Sequence, residues 1–380
     1  MGRQVIFAAW FLLATTVWHC SCGDPGHERT GTEVRTDGAA PQDHRATEDS
    51  VVPGETRDSP DIVDVGEAQP PVRLFSFAII TDTHIGEGFL DFGTPGFYDS
   101  GGEEHVPSQR LRTAIEIVEA AASDLDIHFV LALGDFTDSG EDSEFAMAGQ
   151  LLDELTLPWL PLIGNHDMWP YYRTGPDSFE EAPLPTGDVA FMETFQDHFV
   201  QSVDVFPSLE LAPGPVHNPE LDLDSHFVNF SFEHLGTRFL CLDLVTRSHA
   251  PPEVPGIGPD GQLFDFEGGT WSWLRKQLDE HPPGPSQPVL VFAHHPLVPL
   301  ELENFSQEEH DTVVETLFSG AVGQNVKAWF AGHWHVNLVG NLPTGHPMVI
   351  TAATKDTSAV RVVQVFSDGS IDFETVLESP

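Results

Sequence analysis

The feature that most constrains this chain is a series of five short apolar runs, each followed at once by residues of metal-ligand type. The runs cover residues 74–80, 129–133, 159–163, 289–293 and 326–331. Helical patterns stand between several of them. Short buried strands that alternate with helices are typical of α/β proteins. We therefore predict an α/β fold and see no internal repeat.

Other local patterns fill in the elements between the runs. Helical spacing of apolar residues covers 108–122, 141–155 and about 269–278. Ser139 and Asp142 are placed to form a capping box for the second of these helices. Residues 227–232 and 238–242 predict a β-hairpin with Gly236 in its turn. Together these elements place the apolar runs in sheets that are covered by helices.

The polar residues after the five runs form a single pattern. In chain order they are Asp82-Thr83-His84, Gly134-Asp135, Gly164-Asn165-His166-Asp167, His294-His295-Pro296 and Gly332-His333-Trp334-His335. Ligands of open α/β sheets bind beyond the carboxyl ends of the strands, so these five segments are expected to converge. A mixed nitrogen and oxygen donor set suits a divalent ion such as Mn, Fe or Zn. Each fragment alone is common, and the argument rests on all five together.

This ordered set resembles the calcineurin-like metallophosphoesterases, and the resemblance covers nearly all of the chain after about residue 72. It implies a metallophosphoesterase domain over residues 72–380, folded as a four-layer α/β/β/α sandwich with a dinuclear metal centre at one edge. It also implies hydrolysis of a small phosphoester by a hydroxide that bridges two divalent ions.

The resemblance also implies a role for each residue of the pattern. Asp82, His84 and His335 would bind one metal ion, Asn165, His294 and His333 the other, and Asp135 would bridge the two. His166 would stabilise the transition state and protonate the leaving oxygen. Two further residues are expected behind the ligands: Asp167, which would orient His166, and His295.

Two departures from relatives indicate a branch of the family. Asp138 stands where purple acid phosphatases carry a tyrosine ligand, and Asp138-Ser139-Gly140 lacks the arginine that protein phosphatases have there. The remaining pattern looks most like the phosphodiesterase-type branch. The alternatives are a phosphomonoesterase of the same fold and a surface-tethered binding protein whose metal site is structural or vestigial.

Charge bears on the substrate. The chain of 380 residues has 16 basic and 60 acidic residues, a formal net charge of −44. This excludes a basic nucleic-acid-binding surface. Arg173, just after the Gly164 motif, is the arginine that we predict to contact substrate. The acidic surface favours singly charged phosphodiesters over dianionic monoesters. The oligomeric state and the identity of the metals stay open.

The N-terminal segment predicts export. Arg3 precedes an apolar run over residues 5–17, which is the length of a signal-peptide core and too short to span a membrane. Residues 1–22 are therefore a predicted signal peptide, either of a membrane-anchored lipoprotein, with lipidation of Cys20 or Cys22, or of a protein secreted without a lipid anchor. Residues 23–71 are acidic and poor in large apolar side chains, which predicts a disordered linker.

A few conspicuous residues are predicted to have ordinary roles. Cys241 lies in an apolar strand pattern and is expected in the core, and Asp243 is expected as an exposed carboxylate at the end of that strand. Trp271 and Trp273 are expected on a helix that packs on the sheet. The long segments 168–185 and 248–268 are predicted loops that wall the substrate pocket.

Overall fold

The computed structural model describes residues 70–87, 105–175, 178–181, 184–247, 261–300 and 304–378. These fall within one compact unit, Glu67–Pro380. The predicted signal peptide and nearly all of the predicted linker lie outside the described ranges, so both stay predictions. Within those ranges no helix is long and apolar enough to cross a membrane.

Strands and helices alternate along the chain much as the sequence predicts. The strands are β1 (Arg73–Ile80), β2 (Ile127–Leu133), β3 (Trp159–Leu162), β4 (Tyr171–Gly175), β5 (Ser178–Glu181), β6 (Glu210–Leu211), β7 (Val216–Asn218), β8 (Leu223–Ser225), β9 (Phe230–His234), β10 (Thr237–Leu242), β11 (Val289–Ala293), β12 (Val326–Ala331), β13 (Leu338–Asn341), β14 (Pro347–Ile350), β15 (Val360–Phe366) and β16 (Ile371–Leu377). The helices are α1 (Val106–Leu125), α2 (Asp142–Leu152), α3 (Asn165–Met168), α4 (Gly187–Ser202), α5 (Thr270–Glu280), α6 (Gln307–Leu317), α7 (Gly320–Gly323) and α8 (Thr354–Thr357).

Two large sheets contain the five predicted strands. The first has the order β16-β15-β1-β2-β3, and the second has the order β13-β14-β12-β11-β10-β9-β6. Strands β1, β2 and β3 run parallel to one another, as do β10, β11, β12 and β14. The carboxyl ends of each parallel set therefore meet at one edge of its sheet, where the predicted ligands begin.

Phenylalanine rings fill the space between the two sheets. In the first sheet, Phe77 stacks on Phe129 with ring centroids 5.4 Å apart. In the second sheet, Phe292 stacks on Phe330 at 5.0 Å. Phe77 meets Phe239 of the second sheet edge-to-face at 5.3 Å, so the rings interlock across the interface. This apolar contact fixes one sheet against the other.

Helices cover the outer faces of both sheets. On the first sheet, α1 buries Leu111, Ile115 and Val118, which are the residues whose spacing predicts the helix. On the second sheet, α5 buries Trp271 and Trp273 in a separate apolar core, as predicted. Helix, sheet, sheet and helix thus form four layers, and the predicted α/β/β/α sandwich is confirmed. Cys241 is fully buried in the core, also as predicted.

The start of α2 differs from the prediction. The capping box consists of Glu141 and Glu144, and not of Ser139 and Asp142. The buried Glu144 carboxylate accepts hydrogen bonds from the backbone N–H of Glu141 at 3.3 Å and of Ser139 at 3.0 Å. Ser139 is therefore a donor to this carboxylate and lies before the cap.

Two other segments differ from the prediction: one contains more regular structure, and in the other a strand begins later. The segment 168–185 contains the hairpin of β4 and β5 and is not a continuous loop. The hairpin of β9 and β10 has Gly236 in its turn as predicted, but β9 begins only at Phe230. The backbone N–H of Val228 donates to the Asp243 carboxylate at 2.9 Å, so this residue pairs with a side chain before the ladder begins.

Candidate metal centre

The predicted ligands lie where the carboxyl ends of the two sheets face each other. Backbone and side-chain hydrogen bonds join the two edges directly. His294 Nδ1, at the end of β11, donates to the carbonyl of Leu133 in β2 at 2.7 Å. The backbone N–H of His333 donates to both carboxylate oxygens of Asp82 at 3.1 Å. The centre is therefore built across the interface of the two sheets.

The backbone at the site adopts a conformation that is uncommon for residues other than glycine. Positive φ angles between 43° and 67° occur at five predicted ligands, namely Asp82, His84, Asp135, His333 and His335. Such angles are rare for residues with a Cβ, although Asp, Asn and His adopt them more readily than most. Backbone strain of this kind clusters at functional sites, where the surrounding structure holds it in place.

Two glycines of the motifs allow the loops to approach one another. A Cβ on Gly332 would lie 2.1 Å from Thr81 Oγ1 and 2.5 Å from Asp82 Oδ2. A Cβ on Gly164 would lie 2.2 Å from Asp135 Oδ1. All three distances are far below van der Waals contact, so these positions have no space for a side chain.

One group of four side chains collects at the end of β1. Asp82, His84, Asp135 and His335 each offer a ligand atom, and these atoms lie within 4.8 Å of one another. His84 Nε2 is 3.3 Å from His335 Nε2 and 3.5 Å from Asp135 Oδ2, and His335 Nε2 is 3.3 Å from Asp82 Oδ1. These are the residues predicted for the first metal ion together with the predicted bridge.

A second group lies beside the first and shares one member with it. Asp135, His294 and His333 also offer ligand atoms within 4.8 Å of one another. His294 Nε2 is 3.1 Å from Asp135 Oδ2. Asn165, the remaining predicted ligand, follows Gly164 directly and is buried. Asp135 is thus common to both groups, which is the position that a bridging carboxylate requires.

The buried atoms that would bind metal lack other partners. Within the described ranges, Asn165 Oδ1 is buried and makes no hydrogen bond, and the buried atoms Asp135 Oδ2 and His294 Nε2 have only each other, at 3.1 Å. Buried polar atoms in folded proteins are nearly always satisfied, because leaving them unpaired costs about 1–3 kcal/mol each. Nitrogen and oxygen donors that converge in this way fit divalent cations. The residues present therefore fit the two ions that the sequence predicts, and the assignment of ligands stays a prediction.

Protonation in the cation-free protein shows how strongly these groups interact. Burial acts to lower the pKa of His294, but the Asp135 carboxylate outweighs it and raises that pKa to about 9. Burial lowers the pKa of His333 to about 3, with help from the charge of His294. For Asp82, burial acts to raise the pKa, and the hydrogen bond from His335 overcomes it to give about 2. Carboxylates thus stay charged here only because a cationic partner is within reach.

His166 is held beside the centre by its neighbours. Its backbone N–H donates to Asp135 Oδ1 at 2.9 Å, and its ring centroid lies 4.5 Å from that of His84. Its Nδ1 lies 2.6 Å from the backbone carbonyl of Asp138. A carbonyl only accepts, so Nδ1 carries a proton and Nε2 is the nitrogen left for acid–base chemistry.

The contacts of Asp167 differ from the prediction. We predict that Asp167 orients His166, but its carboxylate accepts from the backbone N–H and hydroxyl of Thr137, each at 3.0 Å, and from the backbone N–H of Gly164 at 2.9 Å. It therefore joins the loops after β2 and β3 and leaves the orientation of His166 to the Asp138 carbonyl. Burial and the nearby charge of Asp135 raise the pKa of Asp167 to about 7.

Asp138 belongs to the site, although the sequence distinguishes it only as a departure from relatives. Its Oδ1 lies 3.3 Å from His84 Nδ1, so it orients the imidazole whose Nε2 faces Asp135. Histidine ligands usually donate their second ring N–H in this way. The sequence signal that could have identified Asp138 as a site residue is its position three residues after Asp135, on the same loop.

The remaining predicted site residues have mixed outcomes. His295 is buried, and its ring centroid lies 4.4 Å from that of His333, so it packs directly behind a predicted ligand. Arg173 lies in β4, and its side chain is outside the described part of the structure, so its role stays a prediction.

The prediction of an exposed Asp243 is wrong. Asp243 is fully buried at the end of β10 and pairs with Arg247, whose Nη2 lies 2.7 Å from Asp243 Oδ2. The guanidinium also lies over the rings of Phe227 at 4.6 Å and Phe264 at 5.3 Å. We call Asp243, Arg247, Phe227 and Phe264 the Arg247 cluster. Beside it, Trp169 Nε1 donates to the carbonyl of Thr246 at 3.1 Å, which links this loop to the one that carries His166.

Comparison with known proteins gives a family match. The family model described as calcineurin-like phosphoesterase matches residues 75–337. A dimetal phosphatase from Danio rerio is similar in structure, with 16% identity, a TM-score of 0.48, and coverage of 80% of this chain and 99% of that one. A purple acid phosphatase from yellow lupin has 13% identity, a TM-score of 0.38, and coverage of 79% and 52%. No curated protein sequence matches the chain.

Proposed function

Because the chain belongs to the calcineurin-like phosphoesterase family, and is therefore a hydrolase acting on phosphoester bonds, we propose that it hydrolyses phosphodiesters in preference to phosphomonoesters. The observation that carries this preference is the density of carboxylates at the centre. Asp82, Asp135, Asp138 and Asp167 are all buried there. When all four are ionised, which the raised pKa of Asp167 allows only above about pH 7, they equal in charge the two divalent cations that the centre fits. A centre close to neutral attracts a singly charged diester and gives little advantage to a dianion.

The ions supply one part of the proposed mechanism. Two divalent ions held by the seven predicted ligands would provide a hydroxide nucleophile near neutral pH and positive charge for the phosphoryl oxygens. The chain supplies the rest. His166, with Nδ1 fixed by the Asp138 carbonyl, presents Nε2 as the acid that protonates the leaving oxygen.

The neighbouring residues keep this geometry in place. Asp138 orients His84 through its carboxylate and His166 through its carbonyl, so one residue positions both imidazoles. Asp167 ties the loop of Asn165 to that of Asp135 through Gly164 and Thr137. Together they hold the acid and the ligands at a fixed spacing, which a phosphoryl transfer step requires.

The test is hydrolysis of a matched pair of substrates by the metal-loaded protein. We expect kcat/KM for bis(p-nitrophenyl) phosphate to exceed that for p-nitrophenyl phosphate, and the difference to shrink at high ionic strength as repulsion of the dianion is screened. A preference for the monoester would contradict the diester assignment. Hydrolysis of neither ester with any of Mn, Fe or Zn would leave a structural or vestigial metal site as the better interpretation.

We further propose that the protein acts outside the cytoplasm. This rests on the sequence of residues 1–22, with Arg3 before an apolar run and Cys20 and Cys22 after it. Fractionation of the producing cells tests export, and palmitate labelling with Cys20→Ala and Cys22→Ala variants tests lipidation. Retention of the full-length chain in the cytoplasm would contradict this proposal.

A further inference from the structure

An ion pair outside the predicted ligand set lies beside the first-metal side of the centre. Lys355 Nζ is 2.5 Å from Glu87 Oε1. Glu87 follows the β1 loop, where its backbone N–H donates to the carbonyl of His84 at 3.2 Å. Lys355 lies in α8, and its backbone N–H donates to the carbonyl of Asp82 at 3.1 Å. Each member of the pair is thus anchored by its backbone to a predicted ligand.

The pair lies at the mouth of this side of the centre. The His84 side chain is only 2% exposed, whereas that of His335 is 31% exposed and that of Glu87 is 41% exposed. The Lys355 side chain is 10% exposed, which is intermediate between His84 and the two more exposed side chains. The next residue, Asp356, approaches His335 Nδ1 to 4.0 Å. The Lys355 side chain therefore lies on the side of the centre where His335 is partly exposed to solvent.

The charge of Lys355 reaches the centre. The Lys355 ammonium is close enough to His84 and His335 for its charge to act on both imidazoles. Glu87 cancels this charge at short range, so the pair adds no net charge to the entrance.

We propose that Lys355 is a substrate-binding residue that contacts a phosphoryl oxygen, and that Glu87 sets the preference for singly charged esters by neutralising it. This rests on the proposed function. A dianion gains about twice as much as a monoanion from each added positive charge. Removing the Glu87 charge should therefore favour monoesters, and removing the Lys355 charge should disfavour them.

The experiment measures the ratio of kcat/KM for p-nitrophenyl phosphate to that for bis(p-nitrophenyl) phosphate. Relative to the unmodified protein, we expect Glu87→Gln to raise this ratio and Lys355→Gln to lower it, each by about three- to tenfold for one unit charge near the phosphoryl group. The double variant has the original net charge and should return to the original ratio. Lys355→Arg keeps the charge and should stay near it too.

A second measurement does not depend on turnover. Calorimetric titration of the metal-loaded protein with inorganic phosphate should show tighter binding by Glu87→Gln and weaker binding by Lys355→Gln. Metal content is measured for each variant, so that loss of an ion is not mistaken for loss of Lys355. Matched controls are Lys276→Gln and Glu280→Gln, which remove the same charges from an exposed pair on α5, 3.8 Å apart. These should leave both the ratio and phosphate binding unchanged.

The outcomes separate the possible roles. Opposite shifts of the ratio for Glu87→Gln and Lys355→Gln, with full metal content, support the proposal. Equal loss of monoesterase and diesterase activity in the two variants would make the pair a purely structural contact and would overturn the proposal. A ratio that none of the variants changes would also overturn it. If the unmodified protein hydrolyses neither ester, the proposed function itself fails. In that case phosphate binding still tests Lys355 as an anion-binding residue.

Discussion

Two buried polar clusters lie at neighbouring strand ends, and they differ in how their charges are satisfied. In the Arg247 cluster, Asp243 accepts from Arg247 at 2.7 and 2.8 Å and from the backbone N–H of Val228 at 2.9 Å. In the metal centre, Asp135 Oδ2 and His294 Nε2 pair with each other at 3.1 Å, and neither has a further hydrogen-bond partner within the described ranges. In the first cluster both Asp243 oxygens accept from donors of the chain, although Arg247 Nε itself has no partner in the described part of the chain. In the second, Asp135 Oδ2 and His294 Nε2 have only each other, which leaves room for a cation between the ligands.

This difference teaches more than burial alone would. Both aspartates are fully buried and both end a strand, so neither burial nor position separates them. The supply of hydrogen-bond donors within the chain separates them, because a buried charge must be compensated by hydrogen bonds or by an opposite charge. We infer that Asp243 serves folding and Asp135 serves binding, and four predictions test this contrast.

The largest expected effect is on Asp135. Asp135→Ala should lose both metal ions, because it removes the shared ligand, and should lower kcat/KM by ~10⁴-fold or more. The cation-free variant also loses the ion pair with His294 and the hydrogen bond from the His166 N–H, so it should unfold at a lower temperature than the cation-free parent. Metal analysis and calorimetry check the two parts. One ion that remains tightly bound would contradict the bridging assignment.

Asp243 should behave in the opposite way. Asp243→Ala leaves the Arg247 guanidinium buried without its carboxylate, and we expect a loss of about 3–5 kcal/mol in the free energy of unfolding. Its folded fraction should still bind two ions. The matched control is Asp265→Ala, whose pair with Arg275 is about half exposed and should contribute about 1 kcal/mol or less. Equal losses in both variants, measured by denaturant unfolding, would remove the contrast.

His166 lies at the metal centre but outside its ligand set. His166→Ala should keep both ions and lower kcat by ~100-fold, which is the usual contribution of a positioned general acid. Metal content and pre-steady-state rates are the measurements. Loss of an ion together with activity would make His166 a ligand.

The smallest expected effect is on the pH dependence of stability, and it comes from Asp188, which lies next to the Arg247 cluster. Burial raises the pKa of Asp188 above its usual 3.8, against the opposing charge of Arg247. The unfolded chain then releases this proton at lower pH than the folded chain, so Asp188 lowers stability as pH rises from about 4. Asp188→Asn keeps an acceptor for the His226 N–H and should gain stability relative to the parent over that rise. Unfolding curves of both proteins between pH 4 and 7 test the sign of this difference. A stability advantage of Asp188→Asn that grows as pH falls would contradict the prediction.

The sequence predicts the strands and their ends well because the relevant information is local. β11 and β12 match the predicted bounds, since each is a continuous apolar run that ends at a polar motif. Parallel strands then bring those motifs together without further information, which is why six of the predicted ligands fall into two groups that share Asp135.

The errors concern pairing between distant segments. Asp243 is buried because Arg247 turns back to meet it and the Phe227 segment covers both, and no local pattern encodes that. Asp167 bonds Thr137, 30 positions earlier, instead of its neighbour His166. Lys355 pairs with Glu87 across 268 positions. Which donor meets which acceptor is decided by the packing of the two sheets, and the sequence does not reveal it.

The wide spread of the ligands along the chain has a consequence for how the protein acquires its ions. His84 and His335 are separated by 251 positions, and one belongs to each sheet. If the predicted ligands bind the ions, no fragment that lacks either sheet contains a complete centre, so full ion binding would follow the docking of the sheets. Bound ions would then hold the two sheets together. Tight binding therefore adds directly to the resistance of the folded enzyme to opening, by about 4 kcal/mol when free metal exceeds the dissociation constant a thousandfold.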